Sequence, residues 1–223
     1  MSDITVPAGL AERLRDATGA AHSAAERTAF VKHLFKGTLP RDGYVGLIRA
    51  LHPVYVALEA AMGAHKDDAV VGMVYDPALN RAESLEQDLV FFAGKDWRSI
   101  PVVKAASDYA DHITTLEKSM PRGLVAHAYV RYLGDLSGGQ MMGRSVAKTY
   151  EAGEAGTNFY SFKGVSDVNA RKNSYRAALT ALPRRQDHRD LRPREPPGHR
   201  PRLARVQDHE REVEVERQLC QPP

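Results

Sequence analysis

The chain has 223 residues, 43% hydrophobic and 26% charged, with 17 Gly, 13 Pro and nine Tyr, the composition of one globular domain with a core of its own. No apolar run near the roughly 20 residues of a bilayer span stands out, and the start, MSDITVPAGLAERL, lacks a basic stretch followed by an apolar one, so neither a membrane span nor a leader is expected and the location predicted is cytoplasmic. A single cysteine, Cys220, excludes an internal disulfide, a CxxC redox or zinc pair and a CxxCH haem attachment, and a net charge of +3 gives no ground for a nucleic-acid partner.

Helical spacing dominates the first 183 residues. Leu10, Leu14, Ala17, Ala21 and Ala25 mark one helix face, which carries His22 with it. Tyr44, Leu47, Ile48, Leu51, Tyr55, Leu58 and Met62 trace a longer stripe in which Pro53 predicts a kink. Leu85, Leu89 and Phe92 mark a short helix before Gly94. Pro101 stands where a helix would begin, with Val102, Ala105, Ala106, Tyr109 and Ile113 behind it, and Pro121 opens another through Val125, Ala128 and Tyr132. Strand-like alternation is confined to Phe159–Val165, interrupted by Gly164. The class expected is all-α, a single helical domain over 1–183.

Residues 184–223 differ in kind. They hold ten arginines and no lysine, six of the thirteen prolines, and no Phe, Trp or Tyr. Without them, 21 Lys and Arg face 20 Asp and Glu, so the basic balance is partly a property of this tail. Four prolines among arginines between Arg184 and Arg202 predict disorder, because the segment has too little apolar surface to offset its ordering entropy.

Three glycines, Gly134, Gly138 and Gly139, fall within six residues of a stretch whose flanks read helical, and each costs about 1 kcal/mol relative to Ala in a helix interior. Backbone without side chains lets a flat ligand lie directly on it, and Asp135 between the glycines would order water beside that ligand. The same spacing serves a close contact between two helices, with Asp135 solvated. His22 is open in the same way: a lone histidine on an apolar face is commonly a hydrogen-bonded core residue, yet Glu26, one turn on, is placed to fix the tautomer of a metal-ligating imidazole.

Two separate motifs, about 110 residues apart, resemble one family. Tyr132-Leu-Gly-Asp-Leu-Ser-Gly-Gly-Gln140 is similar to the signature of the haem oxygenases, and Ala21-His-Ser-Ala-Ala-Glu26 followed by Phe30 resembles that family's proximal-histidine segment. Tyr55-Val-Ala-Leu-Glu59, and the stretch from Phe159-Tyr-Ser-Phe162 through Tyr175-Arg176, extend the resemblance over roughly residues 8–182. It implies an all-α fold holding haem b between a proximal and a distal helix, with haem as cofactor and substrate and dioxygen as co-substrate. On that resemblance His22 would be the iron ligand and Glu26 its partner. Gly134, Gly138 and Gly139 would line the distal face, Asp135 would deliver protons through ordered water, and Arg131 would support that water. Arg15, Lys172, Arg176 and Tyr129 would hold the propionates.

The function implied is oxidative opening of haem to biliverdin, carbon monoxide and ferrous iron by a monomer. No G-x-G-x-x-G follows a strand, so electrons are expected from a separate reductase or ferredoxin. The rival reading is a protein that sequesters or delivers haem without degrading it, and a plain helical scaffold is a third. His33, His52, His65 and His112 have no partners at metal-ligand spacing and are read as structural; His127, two turns before Gly134, is read as a surface or packing residue rather than a second axial ligand, and Met141 and Met142 are expected to fill gaps in the core. The tail departs from the family pattern, which continues after Leu182-Pro183 with an amphipathic helix. An abrupt arginine-rich, lysine-free sequence is what a shifted reading frame in a GC-rich gene would produce.

Overall fold

The computed structural model describes residues 9–182, and among them every regular element is helical. Eight α-helices follow in order: α1 (Leu10–Glu26), α2 (Ala29–Lys36), α3 (Arg41–Ala64), α4 (Ala82–Ala93), α5 (Lys104–Ser119), α6 (Leu124–Ser137), α7 (Gly139–Thr149) and α8 (Val168–Ala181). The all-α expectation holds. The tail 184–223, with its histidines and Cys220, lies outside the described residues.

The long apolar stripe becomes the axis of the fold. Tyr44, Ile48, Leu51, Tyr55, Leu58 and Met62 are all buried on α3, which packs chiefly against α5 and α4. α3 runs through Pro53 without a break. By length and composition this 24-residue helix is apolar enough to cross a membrane, which corrects the expectation that no such run exists; ten of its residues are buried in the core.

Two other expectations change. Pro101 precedes its helix, which starts at Lys104 with Val103 as the cap, whereas Pro121 opens a single 3-10 turn that leads directly into α6. Phe159–Val165 forms no strand: Asn158–Tyr160 is a 3-10 turn, and Phe159, Tyr160 and Phe162 are buried individually from a loop. The apparent alternation comes from aromatic side chains that fill separate holes in the helical core.

Side chains from distant elements fix the helix ends around that core. Glu59 on α3 reaches the start of α4, where its Oε1 accepts from the backbone N–H groups of Arg81 and, at 2.9 Å, Ala82. This satisfies two donors a helix start leaves open. Asp167 caps α8 by accepting from Asn169 and Ala170 at 2.8 and 2.9 Å, and Thr28 caps α2 through Val31 at 3.3 Å. α1 is different: it touches α2, α6 and α8 through partly buried residues such as Leu10 and Leu14, and none of its residues is buried.

Candidate functional site

Asp135 is buried on α6, one of four charged or imidazole side chains to be so among the described residues. The Tyr55 hydroxyl, from α3, donates to its Oδ2. Arg131, one turn earlier on α6, donates from Nε to the Tyr55 oxygen at 3.3 Å, and its guanidinium lies 5.6 Å from the centre of the Tyr55 ring. Burial pushes the Asp135 carboxyl up to about 6, against the pull of Arg131, the Tyr55 hydroxyl and Arg81. Such a group exchanges its proton near neutral pH. Tyr55 is driven the same way, well above the ordinary phenol, chiefly by burial.

The glycines divide into two sets. A Cβ added at Gly134 would meet nothing within 4 Å, and one at Gly138 would meet only the Gly134 carbonyl oxygen at 3.8 Å and the Met142 methyl at 3.9 Å, both of its own segment. No other helix uses them, so the close helix contact is excluded at this pair, and buried Asp135 is not a solvated residue. Gly139 corrects the expectation that all three line one open face. It is buried, and its missing Cβ faces Cδ1 of Tyr160 at 3.5 Å and Cβ of Asp135 at 3.9 Å. Gly143, one turn on, is closer still, with Tyr160 Cβ only 2.8 Å from where its Cβ would be. Gly138, between α6 and α7, keeps right-handed helical angles, with its N–H bonded to the Gly134 carbonyl at 2.9 Å and its own carbonyl accepting from Met142 at 3.1 Å. Bare backbone is thus open at Gly134 and Gly138 and filled by Tyr160 from Gly139 on.

His22 is not a core histidine. Its side chain is 68% exposed, with Nδ1 3.6 Å from Glu26 Oε1, so a ligand on the α1 face meets an imidazole whose Nε2 is unencumbered by Glu26. This corrects the apolar-face placement: the stripe on α1 is real, but its alanines leave the imidazole standing clear. Arg15 is exposed on the same helix, 3.1 Å from Asp16 and 3.8 Å from Glu12. Tyr129 is half-buried on α6; burial raises its phenol, and the charges of Arg176 on α8 and Arg15 on α1 oppose that. Three helices that touch pairwise therefore bring Arg15, Tyr129 and Arg176 into one electrostatic neighbourhood, and Lys172 stands one turn before Arg176. An open glycine surface, an exposed imidazole and a cationic rim fit a flat dianionic metalloporphyrin.

Several supporting residues escape the sequence reading. Arg81, buried at the start of α4, donates to the Ser161 carbonyl at 2.7 Å and the Leu79 carbonyl at 3.2 Å and lies 3.9 Å over the Phe162 ring. Asp88, fully buried on α4, accepts from the backbone of Asn158 and Phe159 at 2.8 and 2.9 Å. Gln140 donates to the Tyr160 carbonyl at 2.9 Å. Together these hold the loop that wedges Tyr160 against α7. An acidic residue inside an apolar helical stripe is the available signal for Asp88. Four other described histidines have partners of their own: His127 is buried with Nδ1 2.9 Å from the Tyr109 hydroxyl, His52 faces Glu86 at 3.1 Å, His65 faces Glu117 at 3.5 Å and His33 bonds Thr38 at 2.7 Å. Met141 is 57% exposed, contrary to the expected core role, whereas Met142 packs against the core.

The family model described as "Heme oxygenase" matches residues 8–193, ten residues past the domain boundary expected at 183. "Heme oxygenase 1" of Synechocystis sp. is 42% identical over 175 residues, which is 78% of this chain and 73% of that protein. "Heme oxygenase" of Porphyra purpurea is 39% identical over 176 residues, 78% of this chain and 75% of that one. Among solved structures, heme oxygenase-1 from Synechocystis sp. in complex with heme matches with a TM-score of 0.81 at 35% identity, covering 96% of this chain and 91% of that chain. Heme oxygenase from Leptospira interrogans gives 0.81 at 30% identity, covering 96% and 98%.

Proposed function

The chain belongs to the haem oxygenase family, and we propose a division of labour among its own residues in that family's reaction. It cleaves haem oxidatively to biliverdin, carbon monoxide and ferrous iron, with dioxygen as co-substrate and electrons supplied from outside. Bound haem supplies the iron at which dioxygen is reduced and the ring that is oxidised. His22 would hold the iron, while Glu26 keeps the Nδ1 side of the imidazole. Arg15, Lys172 and Arg176, with the Tyr129 phenol, would hold the propionates. Gly134 and Gly138 would let the ring come down to bare backbone. Asp135 holds or releases a proton at its carboxyl, the Tyr55 hydroxyl orients that carboxyl, and Arg131 steadies the Tyr55 oxygen.

The observation that carries this reading is a buried carboxyl, held by the Tyr55 hydroxyl beside open glycine backbone, whose proton affinity burial raises. A carrier that only holds haem has no use for it. The test is to load the protein with haem, add ascorbate or a reductase in air, and follow the visible spectrum. Biliverdin absorption growing as the Soret band falls is the expected result. Asp135→Ala should keep the Soret band and lose the product. A wild-type spectrum that stays that of haem would refute the enzyme.

Electrons, in this proposal, come from a separate acidic reductase or ferredoxin that docks on α2 and α7. These helices pack together and carry Lys32, Lys36, Arg144 and Lys148, all exposed, with no Asp or Glu in either. Arg27, Lys32, His33 and Lys36 line a shallow cleft there, and Phe35 and Met141 are exposed nearby in sequence. Cationic rims steer acidic partners, and the attraction weakens with salt. Turnover driven by a ferredoxin should therefore fall steeply between low and high ionic strength, while ascorbate-driven turnover holds; equal salt dependence would remove the docking face. We further propose that the enzyme works as a monomer in the cytoplasm, a compartment that suits a sequence with one cysteine; size-exclusion chromatography and cell fractionation test these two points.

A further inference from the structure

Tyr160 sits in a slot cut into one helix. Gly139 and Gly143 are one turn apart on α7, so their missing side chains leave a groove along a single face. The Tyr160 side chain fills it. A Cβ on Gly143 would lie 2.8 Å from the Tyr160 Cβ, 3.0 Å from its Cγ and 3.3 Å from its Cδ2, and one on Gly139 would lie 3.5 Å from its Cδ1. The stem of the side chain and the near end of the ring make this contact, and the hydroxyl takes no part in it. Glycine weakens a helix where alanine would strengthen it, so a groove of two glycines is a poor way merely to fill space.

Both sides of the contact are held. Along the loop, Asp88 takes the N–H groups of Asn158 and Phe159, Arg81 donates to the Ser161 carbonyl, and Gln140 of α7 donates to the carbonyl of Tyr160 itself. α7 is tied from behind. Ser145, two residues after Gly143 and so about 200° round the helix, donates to the Leu34 carbonyl of α2 at 2.9 Å. Tyr150, just past α7, donates to the Leu39 carbonyl at 2.9 Å. Between these ties, one aromatic side chain sets how far α7 stands from the loop.

The same loop also reaches the far side of the site. Phe159, its ring centre 5.0 Å from that of Tyr160, meets the Tyr55 ring edge-on at 5.6 Å, and Tyr55 holds Asp135. The Cβ position at Gly139 is 3.9 Å from Asp135 Cβ. Adjacent side chains of one loop therefore brace α3 at Tyr55 and α7 just beyond Asp135. The open backbone at Gly134 and Gly138 joins α7 through a helical Gly138, so it is placed by the same brace.

We propose that Tyr160 is a positioning residue that fixes which meso carbon of haem is cut, by setting where the Gly134 and Gly138 backbone and Asp135 stand against the ring. This rests on the haem oxygenase reading. The meso carbons of haem are open to the same oxidation, and a backbone wall held at one height leaves one of them accessible. A wall free to shift leaves more than one. Tyr160 acts through α7 and not by contact with the substrate.

The full chain and its variants are loaded with haem and turned over with ascorbate, and the biliverdin isomers are separated by chromatography. The infrared stretch of carbon monoxide on the reduced, haem-loaded protein reads the same surroundings without turnover. The parent should give one isomer and one narrow band. Tyr160→Phe keeps every atom of the contact and should match it in both. Tyr160→Ala empties the groove and should raise a second isomer several-fold over the parent's trace, with a split or broadened band. Gly143→Ala, which presses α7 and the ring apart, should do the same, and it decides alone should Tyr160→Ala not fold. Ile113→Val loosens the buried core on α5 and should lower the melt while keeping one isomer and one band. A mixture from the parent, from Tyr160→Phe or from Ile113→Val overturns the proposal, as does a single isomer from the groove variants. A haem-loaded parent that makes no biliverdin removes the functional reading, whereas groove variants that make the parent's single isomer remove this proposal alone.

Discussion

Asp135→Asn should make the protein more stable at neutral pH while stopping its chemistry. In the folded chain the carboxyl titrates at about 6, against an ordinary value of 3.8, because burial penalises the anion more than Arg131, Tyr55 and Arg81 favour it. Between those two values the folded state holds a proton that the unfolded state has released, so stability falls as pH rises through the window and the full loss is present above it. The rise from 3.8 to about 6 corresponds to about 3 kcal/mol. An amide at this position carries no charge at any pH, and its oxygen still accepts from the Tyr55 hydroxyl. The variant should therefore gain up to about 3 kcal/mol at pH 7.5, roughly 6–12 °C in Tm for a domain of this size. Circular-dichroism melts of the haem-free proteins at pH 4, 5, 6 and 7.5 give the comparison. The gap should shrink to under about 1 kcal/mol by pH 4, just above the unfolded value. A variant that melts at or below the parent at pH 7.5, or a gap that does not narrow on acidification, would show that the Asp135 anion is stabilised in the fold and would undo the argument for its raised proton affinity.

His22→Ala should abolish the native Soret band on haem addition; an unchanged haem spectrum and affinity would remove His22 as the ligand. Gly138→Leu should fold, since its missing side chain meets nothing closer than 3.8 Å, yet lose turnover at least ten-fold, while Ala147→Leu on α7 does less; equal effects would tie the glycine to packing. Gly143→Ala acts in the opposite sense: its Cβ would lie 2.8 Å from Tyr160 Cβ, so a drop in stability of about 1–3 kcal/mol is expected in denaturant melts, and a neutral result would mean the Tyr160 loop yields freely. A chain ending at Pro183 should bind haem as tightly and melt no lower than the full chain, because every proposed site residue lies between Arg15 and Arg176; weaker haem titration or a melt several degrees lower would show that residues 184–223 pack on the domain.

Periodicity reads the buried faces well and the site only in part. The stripe from Tyr44 to Met62 is long enough for its spacing to be unmistakable, and it forms α3. α2 has only eight residues, too few for its spacing to stand out, and α8 surrounds buried Tyr175 and Leu179 with Arg, Lys and Asn. Asp135 is visible because glycines interrupt a helix around it. Tyr55, the residue that holds it, is 80 positions away, and Asp88 reaches Asn158 and Phe159 across 70 and 71. Spacing along one helix says which way a side chain faces and nothing about what comes to meet it. The misplacement of Gly139 has the same origin. Adjacent glycines in a helix point about 100° apart, so Gly138 and Gly139 serve different neighbours.

α1 carries the proposed iron ligand, His22, and one of the cations proposed for the propionates, Arg15, yet none of its residues is buried. A helix seated so lightly draws much of its local stability from whatever it grips, and its amides should exchange with solvent sooner than those of α3 until haem arrives. On the proposed reading that grip would be on the metal. With the ring opened and the iron gone, His22 would have nothing left to hold, and the clasp that kept the substrate in would be undone by the reaction itself. Product discharge would then need no separate trigger.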